Sequence, residues 1–572
     1  MNAKVSIGLD LGTTFSSIYI FEDGRPEPKE YDCHRFIPTK VSYYYDIINE
    51  KDHWNYGFEA EREMDRTILI DIKRMLGISA NIPNLHKLIE EWRKLGIIIT
   101  ESHEENVFPK GKIRIQIKRT NNNTFYMSPE EIAGDFIKYM VEKIAEINIT
   151  PELKIVITIP ANYSSNQRRA TLKSAMHAGF TKDNIKLLHE PSAAALSYMM
   201  LRPQQSFLYN NFLVCDFGGG TFDLSLLKIS NSVFDVKRIG GNRYLGGRDF
   251  DDIIYKWICH LYESKNIIID DKYSKINLIK CQQVKIELSK NGSAPITFEG
   301  TNERLQLEQK DFESRCNLPI WINNEQKPSL LDQCIISINE LLSNENISKE
   351  QIDAVILVGG TSLLPIFTKR MDTFFGKEKI LKFTKGREAI ALGACYLAAI
   401  NNGEKESPFN NVNFNQRLAH SLGIELAEDR FQCVIKRNTP IPCPIHTSYL
   451  QTYRDFQTVV VFNIYECDED FVHNGELVYQ FRFVDLPSKK EGEVKFTFKM
   501  LIDQNGIAKI TCTCPQKNET LTHEFDMEFQ AIENLKNILN DDFNTHQGDP
   551  KDIKDCQNNK NARNQAKDIL LR

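Results

Sequence analysis

At 572 residues the chain exceeds what one hydrophobic core can organise, so two or more domains are expected. Hydrophobic residues at 41% and charged residues at 26% match ordinary soluble usage, which sets aside disordered and membrane classes, and a net charge of −6 gives no basic footprint for nucleic acid or anionic lipid. Thirteen cysteines without CxxC pairs indicate neither a disulfide framework nor a zinc site; with no signal-peptide zones and no apolar run of membrane length, the reading is a cytoplasmic protein.

Taken in order, residues 1–400 alternate strand-like and helix-like stretches, the pattern of an α/β domain. A helix is predicted over Ser128–Asn148, opened by Ser-Pro-Glu-Glu, which supplies a cap, a first-turn proline and early acids. Ile155–Ile159 and Ala354–Val358 read as buried strands, continuous and β-branched, each ending at a turn. Composition shifts over 401–417, where Asn401-Asn402-Gly403 and Ser407-Pro408 mark a linker. From 418 to 529 the chain becomes short β segments, including Val459–Tyr465 and Val494–Phe498, with a hairpin turn at Asp503-Gln504-Asn505-Gly506. Cys512 and Cys514 share one face of such a strand and read as simple packing or exposed residues, not as a metal pair. The last stretch, 530–572, fits one short helix with apolar Ile532, Leu535, Ile538 and Leu539, followed by a polar tail.

An internal echo carries the chemistry. Ile7-Gly8-Leu9-Asp10-Leu11-Gly12-Thr13-Thr14 and Leu213-Val214-Cys215-Asp216-Phe217-Gly218-Gly219-Gly220-Thr221 each read as strand, acid, glycine turn and strand. Small residues let successive N–H groups close around phosphate oxygens, and the hydroxyls of Thr13, Thr14 and Thr221 add donors. Two such turns could clamp one polyphosphate, and the two aspartates suit Mg²⁺, a hard cation that keeps several waters. A third element, Val358-Gly359-Gly360-Thr361, lets a nucleoside approach the backbone closely after a buried strand.

With these motifs in place, the chain resembles the 70-kilodalton heat-shock chaperone family, over Gly8–Ser16, Asp71–Gly77, Ile159–Thr171, Glu190–Tyr198, Asp216–Ser225, Leu245–Asp251 and Val355–Pro365. The resemblance implies an actin-like, two-lobed nucleotide-binding ATPase domain of duplicated ribonuclease H-like halves, then a β-sandwich peptide-binding domain and a short helical tail. It also implies ATP/ADP with Mg²⁺ as cofactors, and K⁺ as a further cation. Asp10 and Asp216 would orient the hydrated Mg²⁺, Lys73 would reach the γ-phosphate, and Glu190, Asp223 and Thr221 would complete the catalytic set. Gly12, Thr13, Thr14, Phe15, Gly218, Gly219 and Gly220 would cradle phosphates, while Gln282, Lys285, Ile286, Ser289, Gly359, Gly360, Thr361 and Leu363 would surround the nucleoside. Because these groups act on phosphate and metal, replacing Lys73 is expected to leave folding largely intact.

This sequence departs from the family at Ile286 and Leu363, which stand where arginines flank the base, and at Gln282, where glutamate is usual; a cation–π contribution of about 0.5–2 kcal/mol per contact is lost. In the β region, Ile424, Ala427, Leu450, Tyr453, Val460 and Phe462 are expected around an extended-peptide groove, Phe462 being bulkier than the usual aliphatic. The resemblance implies an ATP-driven chaperone for unfolded or extended peptides, served by J-domain proteins and nucleotide-exchange factors. A J-domain helper would act near the linker and the strand from Pro160 toward Arg168. The alternative is a nucleotide-binding regulatory relative, a cochaperone or exchange factor for another chaperone. Asn411-Val412-Asn413-Phe414-Asn415-Gln416-Arg417-Leu418 is poorer in apolar surface than the family's leucine-rich linker, so weak interdomain docking is expected.

Overall fold

The computed structural model describes residues 5–61, 67–78, 85–94, 97–101, 113–120, 123–150, 152–201, 210–230, 233–242, 244–270, 273–322, 325–381, 388–403 and 413–524. The helix and tail expected in 530–572, and residues 404–412 of the expected linker, lie outside the described residues.

Strands β1 (Ser6–Asp10), β2 (Phe15–Glu22), β3 (Lys154–Ile159) and β4 (Ile185–His189) form one sheet in the order β4-β3-β1-β2, with Arg25–Pro28 beyond β2. The contacts β4-β3-β1 are parallel and β1-β2 is an antiparallel hairpin. A second sheet repeats the scheme with β5 (Asn211–Phe217), β6 (Phe222–Ser230), β7 (Val233–Asn242) and β8 (Ala354–Val358), in which β8-β5 is parallel and β5-β6-β7 is an antiparallel meander. The sequence echo is thus two hairpins at equivalent places in two like sheets. Both sheets bury their strands, which explains runs such as Ile-Val-Ile-Thr-Ile and Ala-Val-Ile-Leu-Val, where no face is left for alternating polar residues.

The helix predicted from Ser128 is α1 (Pro129–Tyr139), and Ser128 and Glu131 form a reciprocal capping box. It passes into a π-helical turn over Met140–Ile144. Next come α2 (Ser165–His177), α3 (Glu190–Leu201), α4 (Gly247–Glu263), α5 (Ser274–Asn291) and α6 (Ala389–Asn402). Helices α3 and α6 are alanine-rich and buried almost all round, so they pack backbone to backbone. A Cβ at Gly393 would stand 1.9 Å from the Ala193 carbonyl oxygen, and one at Gly8 would stand 2.1 Å from the Cys395 nitrogen. Only glycine permits either approach.

The segment expected to be a weakly docked linker contains β9 (Asn413–Arg417), which pairs in parallel with β7 and extends the second sheet. Polar groups do what leucines were expected to do. Gln416 is 4% exposed, and its Oε1 accepts from the His189 backbone N–H at 2.8 Å; the Arg417 guanidinium donates to the Val236 carbonyl and, at 2.5 Å, to that of Asn438.

Beyond β9 lie two four-stranded sheets. One holds β10 (Leu422–Glu425), β11 (Phe431–Ile435), β13 (Val460–Glu466) and β14 (Glu476–Phe483); the other holds β12 (Cys443–Gln451), β15 (Lys495–Ile502), β16 (Ala508–Cys514) and β17 (Glu519–Glu524). Strand β16 alternates buried and half-buried residues along its length, as expected for a sheet packed on one face, and Cys512 and Cys514 lie on the buried side. The Asp503–Gly506 turn joins β15 to β16, with Gly506 at φ 77° and the Asp503 carboxylate accepting from the N–H groups of Asn505 and Ile507. Its tip bonds to the first sheet: Asn505 Oδ1 accepts from Leu187 N–H at 2.9 Å, and its Nδ2 donates to the Ile185 carbonyl at 3.2 Å. Among the described residues, no helix is long and apolar enough to cross a membrane.

Candidate functional site

The site forms where the strands of both sheets end. Asp10 closes β1 and Asp216 lies near the end of β5, where it is paired across the hairpin with Asp223. Glu190 opens α3 directly after β4. Lys73 lies in a single helical turn, Ile72–Met75, and its ammonium pairs with the Glu190 carboxylate; the two side chains are 8% and 7% exposed. The structure therefore brings together Asp10, Lys73, Glu190, Asp216 and Asp223, which are scattered over 214 positions of sequence, counting from 10 to 223.

This group is short of positive charge. Burial, with Glu190 adding its repulsion, pushes the Asp10 carboxyl up to about 7, against the opposing pull of Lys73 and a 3.2 Å hydrogen bond from Thr158. Burial pushes Asp216 well above the usual carboxylate range, reinforced by Glu190, Asp223 and Asp10. Asp216 Oδ2 is buried without a hydrogen-bond partner among the described residues. Burial alone would lower the Lys73 ammonium, but Glu190, Tyr163 and Asp10 hold it above its ordinary value. An anionic cluster of this kind, with one cation and an unfilled acceptor, is chemistry suited to a divalent cation.

The two glycine turns meet here. A Cβ at Gly219 would stand 2.4 Å from Thr14 Oγ1, and one at Gly220 would stand 3.6 Å from the Thr13 methyl. Gly218 is held by its N–H to the Thr221 carbonyl, while its own carbonyl accepts from Gly247 N–H at 3.0 Å and from Thr361 Oγ1 at 2.7 Å. At the first turn, the Gly12 N–H donates to Ser16 Oγ, leaving Thr13, Thr14 and Phe15 at the start of β2. A cleft of about 340 Å³ opens from these turns, lined by Thr13, Lys73, Tyr163 and Thr221 on one side and by Glu466 and Asp468 on the other.

Farther along, Gln282, Lys285, Ile286 and Ser289 lie on α5, and Thr361–Leu363 form a short 3₁₀ turn after Gly359 and Gly360; a Cβ at Gly247 would stand 2.5 Å from Thr361 Oγ1 and 3.1 Å from Lys285 Nζ. Gly359 has φ 83°, and a Cβ there would stand 2.6 Å from Asp216 Oδ1, so this turn abuts the carboxylate cluster. The expected peptide-groove residues divide. Ile424, Val460 and Phe462 are in the sandwich core at 1%, 9% and 4% exposure, whereas Tyr453 and Ala427 are exposed and Leu450 is half-buried. Phe462 has ring centroids 5.0 Å from Phe481 and 5.2 Å from Phe496, so its extra bulk fills the interior.

Sequence reasoning missed several supporting residues. Thr158 is the one buried polar side chain in β3, a visible signal in the run Ile-Val-Ile-Thr-Ile; Tyr163, whose hydroxyl donates to the Lys73 carbonyl at 3.2 Å, gave none. Asp71, buried and left-handed at φ 66°, pairs with Arg248 from the other side of the cleft and lies 3.7 Å from Arg74. Arg168, which the sequence does single out, lies where the β-sandwich meets the first sheet: its Nη2 is 2.7 Å from His189 Nε2, and nearby Ser165 N–H and Oγ donate to Glu466 at 2.9 and 2.6 Å.

Buried carboxylates, one lysine and two facing glycine turns are chemistry that suits a nucleotide's phosphates and a metal ion. The chain belongs to the Hsp70 protein family, whose model matches residues 6–570. It is similar to heat shock cognate 70 kDa protein 3 of Dictyostelium discoideum, at 26% identity over 94% of this chain and 82% of the relative. It is also similar to a ribosome-associated molecular chaperone of Eremothecium gossypii, at 28% over 88% and 79%, and to the chaperone protein dnaK1 of Prochlorococcus marinus strain SARG, at 28% over 89% and 72%. The chain is an ATP-dependent chaperone and an ATPase; the regulatory, non-enzymatic alternative is not favoured.

Proposed function

We propose that hydrolysis at the Asp10–Lys73–Glu190–Asp216–Asp223 cluster drives peptide binding and release by the β-sandwich, through strand β4. The observation that carries this is continuity: β4 receives Gln416 of β9 at His189 and Asn505 at Leu187 and Ile185, and the next residue, Glu190, pairs with Lys73. A shift of either docked element moves the strand that positions Glu190.

In this reading residues 1–400 are an actin-like two-lobed ATPase domain, 401–417 the linker, 418–529 the peptide-binding sandwich and 530–572 the tail. Lys73 neutralises charge on the transferred phosphoryl group, and Glu190 and Asp223 orient the attacking water. Asp10 and Asp216 would hold a Mg²⁺ ion, a hard cation suited to carboxylate oxygens. The metal supplies charge neutralisation; the chain supplies orientation and exclusion of bulk water. K⁺ is a second cation suited to the same anionic cluster. Extended apolar peptides are the ligand class, J-domain proteins and nucleotide-exchange factors the partners, and the cytoplasm the compartment.

The test is the dissociation of a labelled apolar heptapeptide, followed by fluorescence anisotropy with ADP and then ATP. ATP is expected to change the release rate in the wild type and to lose that effect in Gln416→Ala. A release rate indifferent to nucleotide in the wild type contradicts the coupling.

A further inference from the structure

Lys73 can act only if the short turn that carries it is held in place. Ile72–Met75 is a single helical turn packed against α1 and preceded by Asp71, which stands at its N-cap position. An aspartate there ordinarily has an extended backbone and accepts a hydrogen bond from an N–H of the first turn. Asp71 does neither: its backbone is left-handed, at φ 66° and ψ 16°, and its carboxylate makes no capping hydrogen bond. A buried residue kept in a sparsely populated conformation requires surroundings that hold it there.

What holds it is Arg248. The Asp71 carboxylate, 1% exposed, pairs with the Arg248 guanidinium, and Arg74 stands 3.7 Å away as a second cation. Arg248 comes from the opposite side of the cleft, in the first turn of α4, whose Phe250 and Ile254 pack into the core of the second sheet. Its backbone N–H donates to the Gly219 carbonyl, and that of Gly247 to the Gly218 carbonyl, both at 3.0 Å, so the residue is stitched to the second glycine turn. The neighbouring acids are engaged elsewhere, Asp249 with the Gly246 N–H at 2.7 Å and Asp251 with Lys285 at 2.8 Å. Contact reinforces charge: a Cβ at Gly220 would stand 3.1 Å from Arg74 Cδ.

We propose that Arg248 is a positioning residue for hydrolysis: through Asp71 it fixes the turn that carries Lys73 against Gly218–Gly220, so that the ammonium and the second glycine turn keep one spacing. Arg248 acts through Asp71 and not on the phosphate. The inference rests on the reading of Lys73 as the group that neutralises the transferred phosphoryl. Misplacing a reacting group by about 1 Å can cost about 100-fold in rate. Because both glycine turns keep their own backbone bonds without the pair, its loss falls on the chemical step and spares the binding of nucleotide.

The experiment measures single-turnover hydrolysis of bound ATP with Mg²⁺ and, separately, ATP affinity, in the full chain carrying Arg248→Gln, Asp71→Asn, both together, or Arg248→Lys. Rates about 10–100-fold lower are expected in the first three, with the double variant no slower than the slower single one and affinity within about threefold of the wild type. Arg248→Lys, which keeps the charge, should recover part of the rate. Arg248→Gln alone strands a buried carboxylate and can unfold the chain; the double variant has no such charge and decides the case, its fold checked by circular dichroism. A folded double variant that hydrolyses at the wild-type rate overturns the proposal, as does a loss equal to the product of the two single losses. Asp71→Asn at the wild-type rate beside a slow Arg248→Gln also overturns it, by placing Arg248 on the phosphate itself. Lys73→Met with Glu190→Gln, run alongside, separates the two readings: if it is slow while the Arg248 and Asp71 variants are not, only the role of Arg248 fails, and if it too keeps the wild-type rate, the reading of Lys73 fails with it.

Discussion

Lys73→Ala tests the catalytic cluster through stability as well as rate. Sequence alone treats Lys73 as a group that acts on phosphate and whose loss leaves folding intact. The structure buries it against Glu190, with side chains 8% and 7% exposed, beside Asp10, Asp216 and Asp223. Removing the ammonium therefore leaves a buried carboxylate among other carboxylates, and breaking such a pair from one side costs about 3–5 kcal/mol. Neutralising both partners removes the unpaired charge, so Lys73→Met with Glu190→Gln should recover most of that loss, a coupling well beyond additivity. Urea unfolding of the nucleotide-free chain, followed through its first transition, measures both. An alanine variant as stable as the wild type would refute the reasoning, as would a double variant less stable than Lys73→Ala alone.

Three further outcomes follow from particular contacts. Gln416→Ala strands the buried His189 N–H, at a cost of about 1–3 kcal/mol, and should raise amide hydrogen exchange across Asn413–Arg417 by about tenfold or more. Burial would raise the Asp468 carboxyl, but hydrogen bonds from His420 and the Ser421 N–H, with the charge of Arg437, hold it down to about 2. Because that value lies below the unfolded 3.8, the stabilisation is present above about pH 3.8 and lost as pH falls through about 2. Asp468→Asn should accordingly lower stability by about 1–2 kcal/mol near neutral pH, with the difference shrinking in urea titrations at progressively lower pH. Phe462→Ala, which empties the centre of the aromatic cluster, should cost about 3–5 kcal/mol in the unfolding transition of the sandwich.

Much of the fold was legible because its signals are local. The strands Ile155–Ile159 and Ala354–Val358 show their double burial as unbroken β-branched runs, and the capping box at Ser128 and Glu131 lies within four residues. The echoed acid and glycine turns marked both halves of the candidate site. What sequence hid was contact between distant segments. Asp71 with Arg248, and Asn505 with β4, carry no local periodicity, and each reads as a solvated polar residue until the chain is folded. The linker misled for a related reason. Counting apolar residues in 411–418 gave weak docking, because the count cannot see that β7 presents an open strand edge and that Gln416 reaches the β4 backbone. The family resemblance puts Phe462 at a groove, whereas its neighbours Phe481, Phe496 and Phe498 give a ring of that size an interior to fill.

The central claim, that this chain hydrolyses ATP at the lysine–carboxylate cluster, is tested most directly by single-turnover hydrolysis of bound ATP in the wild type, in Lys73→Met/Glu190→Gln and in Asp10→Asn/Asp216→Asn. The account predicts that the Lys73 double variant keeps the fold and still binds nucleotide while its rate falls by about 100-fold or more, and that the aspartate variant loses both Mg²⁺ dependence and rate. Hydrolysis at the wild-type rate in either variant would contradict it.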